Sequence, residues 1–191
     1  INTIGSEIPE VGEVIDAEGL FLIPGIIDPQ VHFREPGADH KEDLHSGSCA
    51  AAAGGVTSFL DMPNNNPPVT TIKRMAEKKQ LAAEKSVVNY GFFIGATPDN
   101  LEELNAVENV CGIKIFMGAS TGDLLVDDPD ILESIFANGT KLISVHAEDE
   151  SILQENRRLM NGINDVRLHS RIRDESAALS ATKLAVRLSL K

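Results

Sequence analysis

The chain of 191 residues carries 17 Lys and Arg against 29 Asp and Glu, a formal net charge of −12, with 42% apolar and 24% charged residues. This is the profile of a globular chain, not a disordered or fibrous one, and the acid excess argues against nucleic acid or an anionic membrane as partner, since both reward basic patches. No run approaches the roughly 20 apolar residues that cross a bilayer, no signal peptide opens the chain, and Cys49 and Cys111 make neither a disulfide framework nor a CxxC metal pair, so a reduced, cytoplasmic compartment is expected.

The chain opens on Ile1 and reaches Lys191 directly after a helical pattern, which reads as a segment of a longer protein. Residues 13–17 alternate like a half-exposed strand, and Leu20-Phe21-Leu22-Ile23 is a second apolar run before Pro24-Gly25. Ile26-Ile27 then leads into Asp28-Pro29-Gln30-Val31-His32-Phe33-Arg34. Short apolar runs follow at Val56–Leu60, Val87–Ile94, Ile113–Met117 and Leu142–Val145, each the length of a buried strand. Helical stretches lie between them. Thr97-Pro98 reads as an N-cap and first helical residue ahead of Leu101, Leu104 and Val107. Asp128-Pro129 repeats that signal, with Ile131, Leu132, Ile135 and Phe136 as the buried stripe and Gly139 as the stop. Ile152, Leu153, Leu159 and Met160 before Gly162 mark another helix, and Ala177, Ala181, Leu184, Ala185 and Leu188 the last. Asn64 to Pro68 reads as a loop.

Strands that alternate with helices and are apolar on both faces predict a parallel sheet covered by helices. Five strand–helix units are countable from Ile26 and no sixth strand. A closed (β/α)₈ barrel needs eight units and typically about 250 residues. The fold is therefore an open five-stranded sheet or an incomplete TIM-type barrel, and the placing of the polar residues favours the barrel.

Three residues stand out chemically. His32 shares one side of an extended strand with Asp28, Gln30 and Arg34, a polar row that costs desolvation unless something binds there. Alone it also fits an ordinary surface histidine. Lys114 lies in Gly112-Ile113-Lys114-Ile115-Phe116-Met117, where a buried ammonium is strongly disfavoured. It reads either as a lysine snorkelling from an edge strand or as an amine of lowered pKa able to take up carbon dioxide as a carbamate, an anionic oxygen ligand that can bridge two metals. His146 ends a strand, where barrel enzymes place metal ligands, although capping the next helix is the bland alternative. His40 and His45 lie in a polar stretch facing solvent, and His169 falls in what looks like a loop.

Residues 23–28 with Val31-His32-Phe33-Arg34-Glu35-Pro36-Gly37 resemble the first barrel strand of the class I dihydroorotases, in the amidohydrolase superfamily. Ala53-Gly54-Gly55-Val56-Thr57 with Asp61-Met62-Pro63-Asn64 is similar to their second unit, Gly112 to Gly118 to the carboxylated-lysine strand, and Val145-His146-Ala147-Glu148 to the fifth. The resemblance implies a fragment of a (β/α)₈ barrel over residues 23–191, preceded over 1–22 by the end of a small β-sandwich. It implies reversible hydrolysis of dihydroorotate to N-carbamoyl-aspartate in pyrimidine biosynthesis, with one or two zinc ions as Lewis acid and source of a nucleophile near neutral pH. His32, carboxylated Lys114 and His146 would be metal ligands, with Asp28 and Gln30 as neighbours of the metal site. Arg34 and Asn64 would hold the substrate carboxylate, a group that hydantoinase and allantoinase substrates lack. It further implies a homodimer when complete, and aspartate carbamoyltransferase as a partner. Two departures stand against it. Gln30 replaces the first of the family's paired histidines, and a carboxamide oxygen is a poorer zinc ligand than imidazole. The family's sixth-strand histidine and catalytic eighth-strand aspartate are not among these residues, so the segment alone is expected to be inactive. A non-catalytic scaffold and a hydantoinase- or allantoinase-type amidase are the alternatives.

Overall fold

The computed structural model describes residues 4–6, 12–118, 124–163 and 165–191. Five strands, β1 (Ile26–Val31), β2 (Val56–Asp61), β3 (Asn89–Gly95), β4 (Gly112–Phe116) and β5 (Ile143–His146), form one sheet. All four pairings are parallel, and each strand lies beside its predecessor in the order β1-β2-β3-β4-β5. That order decides between the two sheet types: a doubly wound sheet reverses direction at a switch point, whereas a barrel wall adds each strand to the same edge. The architecture is five consecutive units of a (β/α) barrel.

The helices are α1 (Leu44–Ala53), α2 (Ile72–Lys85), α3 (Leu101–Ala106), α4 (Pro129–Asn138), α5 (Glu150–Leu159), the short α6 (His169–Ile172) and α7 (Glu175–Ser189). Their starts follow from local chemistry. Asp43 caps α1 and exchanges hydrogen bonds with Ser46 in a capping box, and Asp128, Asp149 and Asp174 each accept backbone N–H bonds at the starts of α4, α5 and α7. The core lies between strands and helices. Phe59, Phe92, Ile94, Ile113 and Ile115 from the strands meet Met75, Ala82, Leu104, Leu132, Ile135 and Leu188 from the helices. Each such side chain, fully buried, contributes roughly 1.5–3 kcal/mol for the larger apolar residues. With these residues on the helix side, strand alternation turns Gly95, Lys114, Ser144 and His146 to the opposite, barrel-interior side. The register agrees, pairing Gly95 with Lys114, Lys114 with Ser144 and Phe116 with His146.

Three local expectations are corrected. Residues 13–17 form no strand, and the apolar run at 20–23 lies outside the sheet with Phe21 95% exposed. The expected β-sandwich segment falls partly on residues 1–3 and 7–11, outside the described residues. Helix α3 begins at Leu101 after Asn100, not at Pro98. Thr97 N donates to Asn100 Oδ1 at 2.8 Å and its hydroxyl to Asp99 Oδ1, which closes a turn there in place of a first helical turn. His169 opens the short helix α6 and does not lie in a loop.

Candidate functional site

The polar residues after β1 and β2 belong to two loops that are laced together. His32 Nδ1 lies 2.7 Å from Asn64 Oδ1. A carbonyl oxygen can only accept, so Nδ1 carries the proton in the neutral ring and Nε2 keeps the lone pair. Phe33 N donates to Asp61 Oδ1 at 3.0 Å, and Asn65 Nδ2 donates to both Phe33 O at 3.1 Å and Glu35 O at 2.9 Å. Gly37, at φ +104°, lets the loops meet: a Cβ there would lie 1.9 Å from Asn66 O. Arg34 is exposed, and its guanidinium makes no hydrogen bond or ion pair among the described residues. The β1 strand ends at Val31, so Arg34 stands in the loop beyond it, and Asp28 and Gln30 remain within the strand, half-buried and exposed.

Behind β2, on the helix side, Asp61 and Lys78 are fully buried and 2.7 Å apart. Burial pushes the Asp61 carboxyl up and the Lys78 ammonium down, against their mutual attraction. Lys78 Nζ also donates to Met62 O at 3.2 Å and Asn65 Oδ1 at 2.6 Å, so its acceptors lie at the end of β2 and the start of the loop that follows it. Glu35, likewise buried, accepts from Leu44 N at 2.9 Å and pairs with Lys85, tying the first loop to the start of α1 and the end of α2.

Across the sheet, Lys114 is 1% exposed. Its Nζ stands 5.3 Å from the Phe116 ring centroid, and it has no hydrogen bond or ion pair among the described residues. Burial alone drives its pKa down. Phe116 in turn stacks on His146, the ring centroids 6.3 Å apart. His146 Nε2 lies 2.6 Å from Glu148 Oε2, which makes Nε2 the donor and leaves the lone pair on Nδ1. Arg173 Nη2, itself a donor, passes 3.2 Å from the same nitrogen and binds Glu148, while Arg173 Nε donates to Glu148 Oε1 at 2.8 Å. The Arg173 guanidinium, with the imidazole as a lesser contributor, holds the Glu148 carboxyl below its ordinary range. Asp149 caps the next helix, so His146 is not its cap.

The donor chemistry fits a borderline metal such as zinc. Two imidazoles each have one nitrogen fixed by a neighbouring oxygen and the other without a hydrogen bond among the described residues, the outer arrangement that orients metal-binding histidines. The buried Lys114 amine, with no hydrogen bond or ion pair among the described residues, is a third candidate donor, and the Phe116 ring lies between it and His146 in the chain of contacts. Among the described residues no three His, Cys, Asp or Glu side chains converge on one point, so a metal here needs the modified lysine or further ligands. The sequence had not singled out Lys78, Asn65 or Arg173. Only Lys78 left a signal, a lysine three residues after Met75 and four before Ala82, on the apolar stripe of α2.

A parallel barrel wall with histidines and a buried lysine on its inner side and strand ends defines a class of (β/α)-barrel proteins built to bind at that rim. The chain belongs to the amidohydrolase family, whose profile matches residues 21–183. It is 40% identical over 182 residues to a dihydroorotase of Methanosarcina acetivorans, covering 92% of this chain and 38% of that protein. It is also 40% identical over 131 residues to an allantoinase of Deinococcus radiodurans, covering 63% of this chain and 29% of that protein. Among solved structures it matches the L-hydantoinase (dihydropyrimidinase) of Arthrobacter aurescens with a TM-score of 0.86 and 28% identity, over 97% of this chain and 43% of that one. The chain thus spans well under half the length of these relatives.

Proposed function

We propose that this chain carries the metal-binding wall and the substrate-carboxylate arm of a cyclic amidase, and that the full-length protein is a dihydroorotase. The observation that carries the reading is Lys114. An amine that is 1% exposed, with no hydrogen-bond acceptor among the described residues, costs several kcal/mol as an ammonium, and hydrophobic residues of like volume would fill the space without that cost. Held neutral, it can attack carbon dioxide: an N–C bond forms, one proton leaves, and the product is a carbamate anion.

Lys114 as carbamate, His32 through Nε2 and His146 through Nδ1 would hold zinc. The ion supplies Lewis acidity toward the ring carbonyl of the substrate. The chain's own residues do the rest of what is assigned here. Asn64 fixes the His32 tautomer, Glu148 fixes that of His146, and Arg34 offers a planar fork to the substrate carboxylate. Asn64 is therefore reassigned in part: its Oδ1 serves His32, leaving its amide hydrogens for substrate. Under this reading the full-length enzyme is a cytoplasmic homodimer that acts on a small anion and associates with aspartate carbamoyltransferase, and residues 1–191 alone show no turnover. Similarity to the allantoinase and the L-hydantoinase favours a second reading, a cyclic amidase for uncharged rings.

Steady-state assay of the full-length protein on dihydroorotate, hydantoin and allantoin separates the two. Dihydroorotate is expected to be preferred, and Arg34→Ala to lower kcat/KM for it by about 100-fold, the worth of two charge-assisted hydrogen bonds. Faster turnover of hydantoin or allantoin, or an Arg34→Ala variant with unchanged kcat/KM, refutes the dihydroorotase assignment.

A further inference from the structure

No hydrogen bond or ion pair among the described residues aims the Arg34 side chain, so what the protein fixes is the backbone from which the side chain starts and the rotamers that backbone allows. That backbone is held on both sides by one side chain. Asn65 Nδ2 donates to Phe33 O at 3.1 Å and to Glu35 O at 2.9 Å, the two carbonyls that flank Arg34. Such a clamp works only if the carboxamide cannot rotate, because a flipped amide would set its oxygen against two carbonyl oxygens. Lys78 prevents the flip. Its Nζ donates to Asn65 Oδ1 at 2.6 Å and can only donate, so the oxygen must face Lys78 and the nitrogen must face the β1 loop. Lys78 is itself fixed by the buried Asp61 at 2.7 Å, and the other oxygen of Asp61 accepts from Phe33 N at 3.0 Å. A closed ring of contacts thus runs from helix α2 through both loops and back to the strand.

We propose that Asn65, oriented by Lys78, is a positioning residue that sets the backbone around Arg34 and so aims its guanidinium at the substrate carboxylate. This rests on the reading of Arg34 as the carboxylate arm. Asn65 contacts no reacting atom in this scheme and acts only through Arg34.

The test is calorimetric titration of the full-length protein with N-carbamoyl-aspartate, which reads binding without needing turnover. Asn65→Ser withdraws both amide hydrogens without adding charge near the site. It is expected to weaken binding by about tenfold, while in an Arg34→Ala background it changes affinity less than twofold, because residues that act through one another do not add. Amide hydrogen exchange over residues 33–38 is expected to quicken in Asn65→Ser with the thermal midpoint held within a few degrees, which separates local loosening from misfolding. An unchanged affinity in Asn65→Ser, or the same tenfold loss in both backgrounds, overturns the proposal. If Arg34→Ala alone leaves affinity unchanged, or the wild-type protein fails to bind, the carboxylate-arm reading has failed and takes this inference with it.

Discussion

Replacing Lys78 by methionine removes a charge and keeps most of the volume, and the geometry says what is left behind. Asp61 is fully buried, and its remaining polar contact is the bond from Phe33 N. Breaking a buried pair by deleting one partner costs about 3–5 kcal/mol, since the surviving charge is stranded. With a urea dependence of about 2 kcal/mol per molar, the unfolding midpoint is expected to fall by roughly 2 M. The effect has a pH signature. Burial already raises the Asp61 pKa in the folded protein, and without Lys78 only the bond from Phe33 N and the weaker influence of His32 oppose it. A carboxyl whose folded pKa lies above its unfolded value is most destabilising when both states are ionised, above the folded pKa. The loss shrinks as the pH falls toward the unfolded carboxylate range near pKa ~3.9. Lys78→Met should therefore cost more at pH 8 than at pH 5. The double variant Lys78→Met/Asp61→Leu should recover at least half of the loss, short of all of it because Phe33 N loses its acceptor. Urea unfolding of all three proteins at both pH values decides the matter. A single-variant cost below about 1 kcal/mol, or one independent of pH, would refute the assignment of these residues as a buried structural pair.

Lys114→Met should do the opposite of Lys78→Met: the thermal midpoint holds or rises, because no partner among the described residues is orphaned, while bound zinc measured by elemental analysis and the carbamate signal from ¹³C-bicarbonate are both lost. Glu148→Gln keeps an acceptor near His146 Nε2 but drops the pairing with Arg173, and competitive chelation should show zinc affinity down by about 10–100-fold. Gly37→Ala places a Cβ against Asn66 O at φ +104°, so denaturation should show a loss of more than about 1 kcal/mol, with weaker binding of N-carbamoyl-aspartate.

The sequence made the strands and the barrel order legible wherever the pattern came from burial. The runs at β2 to β5 are apolar because both faces are covered, and the Asp128-Pro129 and Gly139 boundaries of α4 follow from backbone chemistry confined to a few residues. Thr97-Pro98 carried the same local signal and was overridden, because Asn100 donates from its amide to Gly95 O at the end of β3 and to Thr70 O, 30 residues away, and so anchors the turn to both. Lys114 was legible since a single charge interrupts an apolar strand. Lys78 was not, although it is equally buried. It sits in a helix among Lys73, Lys79 and Lys85, and only the position of Met75 and Ala82 on the same stripe marks it as inward. The Asn65 clamp could not be read at all, for its partners are backbone carbonyls 30 and 32 residues away.

Gln30 is the strongest feature in favour of a scaffold that has lost its chemistry, and the balance of magnitudes goes against that reading. Exchanging one imidazole for a carboxamide weakens a metal position and leaves the fold unstrained, since Gln30 is exposed at the end of β1. Keeping Lys114 is a different matter. Its burial with no partner among the described residues costs several kcal/mol out of a total stability of about 5–15 kcal/mol, and a barrel that served only as a scaffold would gain from a methionine or leucine there. Lys78 shows what this same protein does with a buried lysine whose task is structural: it surrounds the amine with a carboxylate, a carbonyl and a carboxamide oxygen. Among the described residues the amine of Lys114 has no hydrogen bond or ion pair, and the Phe116 ring stands 5.3 Å away. The contrast between two buried lysines in one chain supports the proposal that the second serves as a carbamate metal ligand, and under that proposal Gln30 would lower the number or affinity of the ions.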